Sequence, residues 1–131
     1  MRYNELKSIV SELQDLIDYK LNAFYLTSPF TYIASFGKRQ ILLSLAEPDL
    51  RLYETRINPP FKPDPFANKI EKAIKGKKLS SLELASLDRI AIFDFEGEAL
   101  TLQLIPRNPN LIFKNISLNP IKPPISRPQN D

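Results

Sequence analysis

The sequence predicts an α+β domain: an antiparallel sheet or two-sheet sandwich of about eight short strands, with two helices packed on it. Three observations lead there. Apolar residues recur at helical spacing in two stretches, residues 4–18 and 65–75. Elsewhere they alternate with polar ones in short runs bounded by proline, glycine and aspartate. Most of the runs are joined by turns too short for a crossover helix, so neighbouring strands pair antiparallel. A chain of 131 residues suits one domain. We expect it over residues 1–118, followed by a proline-rich flexible tail at 119–131.

The first helix carries Leu6, Ile9, Val10, Leu13, Leu16 and Ile17 on one face. Asn4 is its expected cap, and Glu5 in the first turn suits the helix dipole. Lys7, Ser11, Gln14 and Asp18 should face solvent. From Tyr19 the period changes to two. Strands follow at Leu21–Leu26, Phe30–Phe36, Ile41–Leu45 and Leu50–Glu54, with turns at Gly37-Lys38 and Pro48-Asp49.

Residues 57–65 hold four prolines and should form a stiff, extended connection. Asp64 then caps the second helix and Pro65 occupies its first position, where a missing N–H costs nothing. Phe66, Ile70 and Ile74 share one face, and Gly76 stops the helix. Strands resume at Leu79–Leu84, Arg89–Phe95, Ala99–Ile105 and Leu111–Phe113, with a hairpin turn at Glu96-Gly97. The segment from Pro120 to Asp131 is rich in proline and polar residues and has little to bury, so we expect it extended or disordered. Its part from Ile121 to Pro128 also suits docking on a partner.

Composition narrows the function. There is no cysteine and no histidine. Disulfides, thiolate chemistry and the commonest general base and zinc ligand are therefore absent, and the expectation is a protein without enzymatic activity and without cofactors. No run approaches the roughly 18 apolar residues of a membrane span, and charges interrupt the N-terminus, so cytoplasmic residence without a membrane partner is expected.

The net charge of +3 is unevenly spread. Residues 1–58 carry seven basic and seven acidic side chains, so the whole excess lies beyond Pro59. Much of it is Lys69, Lys72, Lys75, Lys77 and Lys78, with only Glu71 in opposition. Such a cluster either tracks phosphates or forms a solvated helix face. Asp88 and Arg89 stand at the mouth of an apolar strand. Arg89 there contacts a phosphate or stacks on a base while Asp88 orients a basic neighbour, or the two serve as a strand-end ion pair or turn cap. The aromatics Phe24, Tyr25, Phe30, Tyr32, Phe36, Tyr53, Phe93 and Phe95 read mainly as core, with Tyr53 beside Arg51 the exception. Asp94, Glu96 and Glu98 flank a turn without the spacing of a calcium loop.

At Leu87-Asp88-Arg89-Ile90 the chain resembles the N-terminal domain of the NFACT family. The resemblance extends through Ser11-Glu12-Leu13, Arg51-Leu52-Tyr53, Ile70 to Leu79, Asn110-Leu111-Ile112 and Lys122-Pro123-Pro124. It implies a fold similar to the N-terminal domain of formamidopyrimidine-type DNA glycosylases. Their proline-amine chemistry has no counterpart in a chain that begins Met1-Arg2. It also implies association with the large ribosomal subunit and recruitment of tRNA, in which an Asp-Arg pair (here Asp88 and Arg89) and a first-helix acid (here Glu5) take part. The sequence departs from the family pattern in carrying glutamate at Glu5, Ile70-Glu71-Lys72-Ala73-Ile74 in the central helix, and Gln103 in a late strand. The family continues into helix-hairpin-helix, coiled-coil and C-terminal modules. The expectation is thus a stand-alone relative, or a subunit whose protein partner supplies those modules. The leading function is a non-catalytic RNA-binding module at the ribosome or on tRNA. The alternative is a structural or protein-interaction subunit, such as a small ribosome-associated protein.

Overall fold

In a computed structural model of the protein, the described residues are 1–85 and 88–120. The expected tail lies largely at 121–131, outside them. Two antiparallel sheets share one core. The first runs β1 (Ala23–Ser28), β2 (Thr31–Phe36), β3 (Arg39–Ser44) and β4 (Arg51–Thr55), in that spatial order. The second runs β5 (Leu79–Leu84), β6 (Ile90–Phe95), β7 (Glu98–Gln103), β8 (Asn110–Phe113) and β9 (Ile116–Ser117). Each is a meander, the topology short turns enforce. The expected α+β class and two-sheet arrangement are therefore what forms. The ninth strand is an addition: two residues past a turn at Lys114-Asn115 carry no periodicity to read.

Helix α1 (Tyr3–Glu12) is shorter than its apolar period suggested, because Leu13–Leu16 tightens into a 3₁₀ turn. The Gln14 side chain donates to the Val10 carbonyl at 3.0 Å and to Leu82 O of β5 at 2.7 Å. Its cap is not Asn4. Arg2 holds the cap position, and the Glu5 carboxylate accepts from the Arg2 N–H at 2.7 Å. Helix α2 (Pro65–Ile74) begins as expected: Asp64 Oδ2 accepts from the Ala67 N–H at 2.9 Å, and Pro65 follows. Gly76, at φ +84°, ends the helical path in a conformation that disfavours side chains. Ala67, Ile70 and Ile74 are buried against the first sheet.

The sheets are joined by a stitch that no sequence period announces. Residues 18–21 run antiparallel to residues 76–79: Asp18 N–H donates to Leu79 O at 2.8 Å, Leu79 N–H to Tyr19 O at 3.0 Å, and Leu21 N–H to Lys77 O at 3.0 Å. Behind it Phe36 of β2 stacks on Phe95 of β6, with ring centroids 6.1 Å apart. Every residue of β2 is buried, so its alternation does not separate a wet from a dry face. Phe30 is a correction to the expected core. It sits in the β1–β2 turn at φ +57° and is 49% exposed. No helix among the described residues is long and apolar enough to cross a membrane.

Candidate nucleic-acid interface

The lysines after Pro59 do not form a single helix face. Lys69 and Lys72 project from α2, exposed, on the side away from Ile70 and Ile74. Lys75, Lys77 and Lys78 lie past the helix end, where the stitch holds them at one pole of the molecule. The stitch adds a neighbour, since Lys20 is bridged directly to Lys78. The β2–β3 turn adds Lys38, which lines a shallow hollow of about 490 Å³ with Tyr19, Lys20 and Arg39. Five lysines from three separate segments thus meet at this pole. Acids stand among them: Asp18 lies in the stitch, Glu71 is one helical turn before Lys75, and Glu96 Oε2 accepts from the Lys78 N–H at 2.7 Å. Tyr19, 46% exposed, supplies a ring beside them.

Arg39 is committed elsewhere. Its Nη1 is 2.8 Å from Asp15 Oδ1, and its Nη2 and Nε lie 2.7 and 3.0 Å from the two Glu54 oxygens. The hydrogen bonds from Arg39 hold the Glu54 carboxyl below its ordinary pKa, against the burial that would raise it. The guanidinium is pushed up in turn, chiefly by its hydrogen bond to Glu54. This triad walls one side of the basic pole and, with one guanidinium and two carboxylates, brings a net charge of −1 there.

Asp88 and Arg89 lie at the opposite pole. They form the bend entering β6, where Ala85 N–H donates to Ile90 O at 2.9 Å and Leu104 N–H to Arg89 O at 2.7 Å. Arg89 is half-buried, and its Nη1 reaches Met1 O only at 3.5 Å, while the N-terminal ammonium donates to Leu50 O at 3.0 Å. Asp88 is exposed and pairs with no cation among the described residues. Contact with Met1 brings Arg89 to the start of α1, the end that bears Glu5. That carboxylate is engaged in capping. The length of β5 separates this pole from Lys78 by roughly 17 Å. The structure therefore gathers the candidate residues at two ends and not in one cluster.

Lys20, Lys38 and Tyr19 escaped the sequence reading. Lys20 and Lys38 are lone cations in a stretch that is neutral overall. Only the pairing of residues 18–21 with 76–79 and the position of the β2–β3 turn bring them to the later lysines.

The architecture defines a class: a two-sheet α+β domain of the kind that opens the fibronectin-binding protein PavA of Streptococcus pneumoniae. The two structures superpose with a TM-score of 0.74 at 19% identity, covering 85% of this chain and 50% of that one. A fibrinogen-binding protein from Staphylococcus aureus gives 0.73 at 23% identity, covering 86% and 46%. In sequence the chain is similar to ribosome quality control complex subunit 2 of Schizosaccharomyces pombe, 29% identical over 98 residues. That match covers 72% of this chain and 10% of the relative, so the chain spans about half the length of the matched structures and far less of the curated protein. No protein-family model matches the sequence. The resemblance to the NFACT N-terminal domain is borne out by this sequence likeness and by the shared fold.

Proposed function

We propose that this chain is a non-catalytic RNA-binding module of ribosome quality control. It acts in the cytoplasm on the large ribosomal subunit or its tRNA. The observation that carries the reading is the conjunction of likeness to a ribosome quality control subunit with five lysines converging at one pole. Ammonium groups at Lys20, Lys38, Lys75, Lys77 and Lys78 suit sequence-independent contact with phosphates, and Tyr19 offers a stacking face. Lys69 and Lys72 extend the positive surface along α2. At the other pole Arg89 makes a second contact, with exposed Asp88 free to meet a basic or amino group of the partner and Glu5 fixing the helix end beside it. RNA long enough to reach both poles engages both.

The test is sedimentation of the tagged protein through a lysate gradient at low and moderate salt. We expect co-migration with the large subunit at low salt, loss at moderate salt, and loss at low salt in a Lys20→Glu/Lys78→Glu variant. Those side chains are exposed, so the variant should stay folded. Co-migration that persists in the folded double variant removes the basic pole from the interface. The fall of affinity with salt should have a log–log slope of about −0.7 per phosphate contacted by a single strand.

A further inference from the structure

A groove of about 440 Å³ runs between β1 and the N-terminal half of α2. Phe61, 67% exposed, and Tyr25 form one wall, with ring centroids 5.9 Å apart and tilted by 54°. The Tyr25 hydroxyl is tied to Pro59 O at 3.2 Å, which orients the ring. Along the α2 side stand Asp64, Asn68 and Glu71, which share a helix stripe. In a chain of net charge +3 this groove carries two carboxylates and one cation, Lys62. Neither carboxylate is in an ion pair among the described residues. One oxygen of Asp64 caps α2, and one oxygen of Glu71 accepts from the Phe24 N–H at 3.2 Å.

Those backbone contacts also decide how the groove can be used. β1 is an edge strand, normally an invitation to strand addition. Its outer edge is already engaged, since Phe24 N–H is held by Glu71 and Leu26 O accepts from the Lys62 N–H at 2.8 Å. A ligand must therefore bind through side chains and not through a backbone ladder. An acidic wall opposes RNA and favours a cation. Asp64 and Glu71 are seven residues apart, or roughly 10 Å along the helix. A polyproline II strand repeats every three residues over about 9.3 Å. Exposed aromatic rings are the surface on which such strands dock.

We propose that this groove binds an extended, proline-rich segment of a partner protein that carries basic residues three apart. Its prolines pack on Phe61 and Tyr25, and its two cations meet Asp64 and Glu71. The groove is lined by none of the five lysines of the basic pole, so its failure and the failure of the RNA reading are distinguishable.

The experiment is a titration of the full chain with an arginine-proline-proline repeat peptide, followed by the NMR signals of Phe61 and Tyr25. Saturable shifts at both rings are expected. Glu71→Gln keeps an acceptor for Phe24 and removes only the charge; it should weaken binding about fivefold, the worth of one partly exposed ion pair. Phe61→Ala, at an exposed position, should abolish the shifts without changing thermal stability. A glutamate-proline-proline peptide should not bind. Equal binding of the glutamate peptide, or an unchanged affinity in Glu71→Gln, overturns the proposal. So do ring signals that already move when the chain is cut after Pro120, which would give the groove to residues 121–131. Shifts that depend on the protein's own concentration would give it to a second copy and equally overturn the assignment.

Discussion

Arg39 forks between a 3₁₀ turn and an edge strand, and its neighbours set its worth. Asp15 is mostly exposed and Glu54 partly so, hence solvent screens both pairs. Arg39→Ala should cost about 1 kcal/mol in a denaturant melt. The pH dependence has a definite sign. Glu54 has a folded pKa below its unfolded value of about 4.3. Its contribution is complete above the unfolded value and disappears as pH falls through the folded one. The stability gap between the wild type and Glu54→Gln should therefore close as pH is lowered from about 5 to 3. A gap that stays constant in thermal melts would separate Glu54 from Arg39 energetically. Arg89 makes the opposite case. Its contact with Met1 O is too long to matter, so Arg89→Ala should leave the melting temperature almost unchanged while lowering ribosome association. Unfolding with binding spared would make Arg89 structural.

Helix α2 is the element whose local chemistry and final form agree best. The cap at Asp64, the proline after it and the glycine past its end all act within a few residues, so they are legible in the sequence. Asp64→Ala should cost about 1 kcal/mol. Gly76→Ala meets no atom within 4 Å but keeps a positive φ, so about 1 kcal/mol of backbone strain is expected. Equilibrium unfolding checks both. Helix α1 agrees less well, because its end is decided by partners far along the chain. Gln14 reaches β5, and Asp18 adopts φ +77° to enter the stitch. Neither can be read from the period of Leu6 to Ile17.

At the scale of the molecule the two meanders form one core. Leu43 and Leu52 of the first sheet and Phe93 and Leu102 of the second belong to the same buried cluster, and the Phe36–Phe95 stack spans them. Phe95→Ala should therefore cost about 3–5 kcal/mol and lower the protection of amides in both sheets together. Loss of protection in β5–β9 alone, with β1–β4 intact, would mean two independent cores. The same packing sets the electrostatics of the whole. It carries lysines from three segments to one pole and leaves an acidic, aromatic groove lined by other residues.

The sequence by itself determined the class, the placement of the strands and helices that rest on period and capping, and the absence of histidine and cysteine chemistry. These follow from interactions among residues a few positions apart, which a linear pattern records. Only the tertiary structure decided which charges meet. Lys20 and Lys78 are adjacent because two irregular segments exchange backbone hydrogen bonds, and backbone groups are the same at every residue and leave no mark in side-chain periodicity. For the same reason the separation of Arg89 from the lysine pole, and the groove between β1 and α2, belong to the fold and not to any stretch of the chain.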